Sequence, residues 1–177
     1  QRQMCIRDRW LQILIVALVT IILVFTFVGR ITPVVGESML PTLHEGDVML
    51  IRDIGYTDPQ PGDIVVLTKE FDAARGPIVK RIIAVEGQTV DIDYQTGTVY
   101  VDGEALDEPY LNEPMEEPWY EDLTSVTVPE GSVFVMGDNR NHSNDSRDVT
   151  LGTVDTRYLL GKAEFICFPF SDFGRIG

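Results

Sequence analysis

Between Arg81 and Arg140 the sequence contains no lysine and no arginine. A surface that tracks a phosphate backbone needs a basic stripe, and this stretch has none to offer. The formal net charge of −14 over 177 residues argues the same way, so nucleic acid is excluded as a partner. Cysteine is scarce too: Cys5 and Cys167 stand on opposite sides of an apolar run, which implies no disulfide framework. Cys167, within Phe165-Ile166-Cys167-Phe168, reads as a small buried hydrophobe. No cluster of His, Cys and acids stands at metal-ligand spacing, so neither a metal nor a cofactor is expected. Beyond residue 30 there is also no long periodic helical pattern and no internal repeat.

What is present begins with a long apolar run. Trp10 to Val28 has only Gln12, Thr20 and Thr26 as polar residues, and as a helix it spans about 28 Å, close to a bilayer's hydrocarbon thickness. A transmembrane helix over 10–28 is expected rather than a cleaved leader, because the run is long and no small-x-small site follows it. Arg2, Arg7, Arg9 and Arg30 against Asp8 give the first 30 residues a net charge of +3 and leave −17 for the rest. That reversal puts residues 1–9 in the cytoplasm and the remainder outside a single-pass cell-membrane anchor. No functional weight falls on Gln1 to Asp8.

After Pro33 the pattern turns to strands. Val48-Met49-Leu50-Ile51 and Ile64-Val65-Val66-Leu67 are short apolar runs, each following a Gly-Asp turn, and residues 78–85 form a third. Residues 90–93 and 98–101 alternate with period two around Tyr94-Gln95-Thr96-Gly97, a hairpin signal. Residues 126–129, 133–136 and 163–169 complete a mainly β chain. Between them, Asp102 to Asp122 is rich in acids and proline and reads as a solvated, loop-rich excursion.

Two residues carry a chemical argument. Ser38 lies in Gly36-Glu37-Ser38-Met39-Leu40-Pro41, where glycine and proline force the backbone to turn and hold the hydroxyl clear of strand packing. A serine is a poor nucleophile without a base. Leu40 rules out a nucleophile elbow and Pro41 rules out a serine-x-x-lysine motif, so the base must come from elsewhere. Lys80 is the candidate: it and Arg81 project to opposite faces of the 78–85 strand, so one of them must face inward or line a cleft. Lysine suits that position because burial can lower its pKa, whereas arginine stays charged. The polar turn from Gly137 to Arg147 holds His142 and Asp145, which leaves a Ser38-His142-Asp145 triad conceivable; Arg140 and Ser143 make it a poor calcium loop.

Gly36-Glu37-Ser38-Met39-Leu40-Pro41-Thr42-Leu43, Gly46-Asp47-Val48, Lys80-Arg81-Ile82-Ile83-Ala84 and Gly137-Asp138-Asn139-Arg140 with Ser143, Asp145, Ser146 and Arg147 stand in order. Together they resemble the boxes of bacterial type I signal peptidase, the membrane-bound Ser-Lys endopeptidase, in its short single-anchor form. The resemblance implies Ser38 as nucleophile, Lys80 as general base, Ser143 as a hydroxyl that orients the lysine, and Asp145 with Arg147 as a supporting pair. It implies an antiparallel β-sheet catalytic core from residues 31–88 and 132–170, a small inserted β domain over 89–131, and a tail over 171–177. Exported preproteins would be the substrates, added as a strand, with Val34 and Val79 lining shallow pockets for small residues at minus one and minus three. Gly36 stands where some members carry a hydroxyl that helps the oxyanion hole, so Gly36→Ser is expected to help or to be neutral.

Two other readings are open. A self-cleaving repressor of the LexA type shares a Ser-Met and a Val-Lys-Arg arrangement, but its DNA-binding domain is replaced here by an apolar run. A membrane-tethered β-rich domain without activity would bind a partner through Tyr110, Trp119 and Tyr120.

Overall fold

The computed structural model describes residues 2–27, 30–53, 55–71, 76–116 and 123–176, with the side chains of the first helix described over 9–22. That helix, α1, runs Arg2–Phe27. Strands β1 (Arg30–Pro33), β2 (Val48–Arg52), β3 (Ile64–Leu67) and β4 (Ile78–Val85) follow it. Next come β5 (Thr89–Asp93), β6 (Thr98–Val101), β7 (Glu104–Ala105) and β8 (Ser125–Thr127). Last are β9 (Ser132–Met136), β10 (Val154–Asp155), β11 (Leu159–Phe168) and β12 (Gly174–Arg175).

All pairings are antiparallel. One sheet has the order β1-β2-β11-β3-β4-β9-β10, with β12 on β11, and the other has the order β7-β6-β5-β8. The chain is therefore mainly β, as its apolar runs predict. β3 is buried at all four positions because β11 and β4 pair with it on both sides. The predicted hairpin forms in register, Val90 facing Val101 and Asp93 facing Thr98. Its sheet does not stand off from the first: Val90, Val99, Met115 and Val128 share one apolar core with Ile83, Ala84, Phe134 and Met136.

Cys167 is half-buried, not buried as expected. The β11–β2 register shifts between Ile166 and Phe168, and Cys167 is the extra residue at that irregularity. The span expected over Trp10–Val28 reaches beyond the described residues. Among those described, no helix is long and apolar enough to cross a membrane; side chains 9–22 account for only about 21 Å of helix.

The turn that bears Ser38 joins β1 to β2. Gly36 and Gly46 take φ of +88° and +91°, which glycine adopts at no steric cost. Met39 and Leu43 plunge from this turn into the core with Met49, Ile51 and Val66. Burying each side chain stabilises the anchoring by about 1.5–3 kcal/mol.

Candidate active site

Ser38 and Lys80, 42 residues apart, come together: Nζ of Lys80 lies 2.7 Å from Oγ of Ser38. The lysine also donates to the carbonyl of its neighbour Val79 at 3.1 Å. It sits mid-sheet on β4 opposite Val65 of β3 and is only 3% exposed. That burial pulls its pKa from the ordinary value down to about 8; Asp145 and Asp138 pull it back up and Arg147 pushes it further down. A serine hydroxyl beside an amine that loses its proton this easily has what acyl transfer needs.

Arg81 is buried as well, so both members of the pair, on opposite faces of β4, are taken out of water. Its Nε and Nη2 donate to the two carboxylate oxygens of Asp138 at 2.8 and 2.7 Å, and Nη1 donates to the Gly62 carbonyl at 3.0 Å. Thr42, from the turn that bears Ser38, donates to the same carboxylate at 2.5 Å. Asn139 completes the link: its N–H donates to the Ser38 carbonyl at 3.0 Å and its Nδ2 to the Glu37 carbonyl at 3.1 Å. The turn bearing Ser38 is thus pinned to the loop after β9.

That loop, 137–147, is built on Asp145. Oδ1 accepts from Nε of Arg147 at 2.8 Å, and Oδ2 accepts from Nη2 of Arg147, from the Gly137 N–H and from the Ser143 hydroxyl at 2.9, 2.9 and 2.7 Å. Burial works against ionisation of Asp145, but the arginine's charge and these hydrogen bonds outweigh it and hold the carboxyl below its usual range. With both oxygens so engaged, Asp145 is not the third member of a histidine triad, and His142 is exposed. The triad is set aside. The Ser143 hydroxyl, expected on the lysine, donates to Asp145.

A cavity of about 80 Å³ opens beside the Ser38 hydroxyl. The segment before the serine lines one side and the start of β4 the other, with Val34, Met39, Val66, Ile78 and Val79 among its walls. Edge strand β1 and inner strand β4 both line this space, through Thr32 and Pro33 on one and Ile78 to Lys80 on the other. At Gly36 the φ of +88° is a conformation that a side chain strains, so the expectation that Gly36→Ser is harmless does not hold.

Sequence reasoning missed Glu108 and gave Tyr110 only as a partner-binding aromatic. The Tyr110 ring covers the Arg81 guanidinium, 3.9 Å from its centroid, and Glu108 makes a two-pronged ion pair with the fully buried Arg140. The stretch read as a solvated excursion is packed here, with Met115 in the core; Trp119 and Tyr120 lie outside the described residues. A signal existed. Asp138 and Asp145 serve Arg81 and Arg147, so Arg140, in the same loop as both acids, required a third acid from elsewhere.

A contact between a half-buried serine and a buried amine on an antiparallel scaffold has the makings of a serine hydrolase, and comparison with known proteins narrows the class to serine endopeptidases. The family model described as "Signal peptidase, peptidase S26" matches residues 7–168. The chain belongs to that family. It is 41% identical over 174 residues to a probable signal peptidase I-1 of Synechocystis, covering 93% of this chain and 84% of that one. With signal peptidase I of Bacillus licheniformis it shares 36% over 171 residues, 92% of this chain and 89% of the other. A crystal structure of a signal peptidase I from Enterococcus faecalis V583 aligns with a TM-score of 0.48 at 33% identity, over 60% of this chain and 97% of that one.

Proposed function

We propose that this protein is a membrane-anchored endopeptidase that removes signal peptides from exported preproteins, with Ser38 as nucleophile and Lys80 as general base. The observation that carries the reading is the 2.7 Å contact between the Ser38 hydroxyl and a lysine amine only 3% exposed. Oγ of Ser38 attacks the scissile carbonyl while its proton passes to neutral Nζ of Lys80. As the tetrahedral adduct collapses, Nζ returns that proton to the leaving amine; a water then attacks the acyl-enzyme, giving its proton to Nζ, and Nζ passes that proton to Oγ of Ser38 as the second adduct collapses and the acid is released. The developing oxyanion is received by backbone N–H groups, that of Ser38 first.

The preprotein lies extended between the segment before Ser38 and the start of β4, in the mode of strand addition. Val34 and Val79, both at the cavity, leave room only for small side chains at minus one and minus three. Residues 31–88 and 132–170 act as the catalytic core and 89–131 as the inserted unit. Ser143, Asp145 and Arg147 hold the wall that faces Lys80.

The bilayer as partner is supported by apolar exposure. Trp10, Leu14, Val16 and Leu18 of α1 are more than half exposed, on several sides of the helix. Ile31, Leu50 and Phe165 stand in one cross-strand row on β1, β2 and β11, and Phe168, Phe170 and Phe173 are exposed just beyond it. Water is a poor neighbour for so much contiguous apolar surface.

The test is incubation of the detergent-solubilised chain with a preprotein carrying alanine at minus three and minus one. Ser38→Ala and Lys80→Met should each abolish cleavage, while His142→Ala should keep it. Cleavage by Ser38→Ala would refute the dyad. For topology, protease added to intact spheroplasts should digest residues 31–177; full protection would invert the assignment.

A further inference from the structure

Residues 108–116, Glu-Pro-Tyr-Leu-Asn-Glu-Pro-Met-Glu, contain two prolines and form no strand. They are nevertheless stitched to the loop after β9. Glu108 pairs with Arg140, whose Nε in turn donates to the Gly137 carbonyl at 3.0 Å. The Tyr110 hydroxyl donates to Glu108 at 3.0 Å while its ring covers Arg81. Asn141 donates to Glu113 and to the Pro114 carbonyl at 3.0 and 3.1 Å and accepts from the Glu116 N–H at 2.9 Å. Met115 lies in the core within 3.5 Å of Arg147. The three buried arginines of the site, Arg81, Arg140 and Arg147, therefore each touch this one segment.

We propose that residues 108–116 are a strap that positions the catalytic base, with Tyr110 and Glu108 as its two clamps. The inference rests on the Ser38–Lys80 reading and adds to it a cause for the lysine's dryness. Neither clamp touches the reacting atoms; both act through the arginines. Arg81 is the residue after the base, and its guanidinium is filled at its edges by Asp138 and Gly62, so the ring of Tyr110 closes the face that water would otherwise reach. Arg140 fixes Gly137, and Gly137 fixes Asp145.

The charged groups facing Lys80 are Asp145, Arg147 and Asp138, all on the strapped loop; on β3 its cross-strand partner is Val65, and His142 points to solvent. Loosening the strap moves that wall as a unit and admits water. The amine then hydrates more easily in its charged form and holds its proton to higher pH.

The full chain in detergent micelles, with a peptide carrying alanine at minus three and minus one, gives the test. Tyr110→Leu should lower kcat about tenfold with KM within about twofold, and its acidic limb of kcat/KM should move to higher pH. Tyr110→Phe, which keeps the ring over Arg81, should recover most of that loss. Glu108→Gln, similar in shape but uncharged, should show the same split between kcat and KM. A folded Tyr110→Leu with wild-type kcat and an unmoved limb overturns the strap, and so does a rise in KM alone, which would make the segment a substrate contact. Should Tyr110→Leu not fold, Glu108→Gln decides by the same two readings. Ser38→Ala runs alongside: cleavage by that variant overturns the dyad and the strap together, whereas an inactive Ser38→Ala beside unaffected clamp variants overturns the strap alone.

Discussion

Gly137 and Ser38 approach so closely that a Cβ on Gly137 would lie 2.5 Å from the Ser38 carbonyl oxygen and 2.3 Å from the Ser143 hydroxyl. Two parts of the site meet over a single hydrogen atom. Gly137→Ala cannot be absorbed by a side-chain rotation, because one of the atoms it meets is backbone of the nucleophile itself. The variant should lose about 1–3 kcal/mol of stability and nearly all activity. Thermal unfolding with peptide cleavage checks this; a Gly137→Ala enzyme of ordinary activity would mean that the Ser38 turn is free to shift.

Activity should rise with pH along a limb near 8. In the proposed dyad only a neutral Lys80 can accept the Ser38 proton, and burial has brought its pKa down to about 8. An unburied lysine with a pKa of about 10.4 would be neutral in only about one molecule in 2,500 at pH 7. The acidic limb of kcat/KM is the measurement. A limb near 6.5 would point to a histidine, and a rate still climbing past pH 10 would mean that the amine is solvated.

The same burial costs stability, with a definite sign. The folded pKa of Lys80 lies below its unfolded value, so the unfolded chain binds the extra proton more tightly. Below pH 8 both states are protonated and the penalty is full; between about 8 and 10.5 the folded amine is already neutral and the penalty disappears. Lys80→Met, while inactive, should therefore be more stable than wild type at pH 7, by up to about 3 kcal/mol, and the gain should shrink toward pH 10. Denaturant midpoints at the two pH values test it, and a gain that grows with pH would reverse the argument.

How legible all this was in the sequence depended on range. β3 and the 90–101 hairpin were readable because their signals are local: an apolar run after Pro61-Gly62-Asp63, and alternation on both sides of a turn. Ser38 and Lys80 were readable because each sits in an unusual local setting. Glu108 and Tyr110 were not, since an acid and an aromatic among prolines look solvated until the fold brings them against Arg140 and Arg81, 32 and 29 positions away in the chain. Long-range ion pairs leave no periodicity to detect.

Asp145→Asn separates electrostatics from architecture at this site. The carboxylate holds Arg147 at both oxygens, and neither residue has appreciable access to water. Neutralising it removes the carboxylate that pairs with a buried guanidinium, which should cost about 3–5 kcal/mol. Activity should fall, because Gly137 and Ser143 lose their shared anchor. The limb should nevertheless move the other way from a loosened site. Asp145 favours the protonated form of Lys80 and Arg147 opposes it, so removing the negative charge lowers the lysine's pKa. The residual kcat/KM of Asp145→Asn should thus reach its plateau at a lower pH than wild type. A limb shifted upward would show that water entry outweighs the lost charge, and an unmoved limb would show that the Asp145 carboxylate is not felt at Nζ of Lys80.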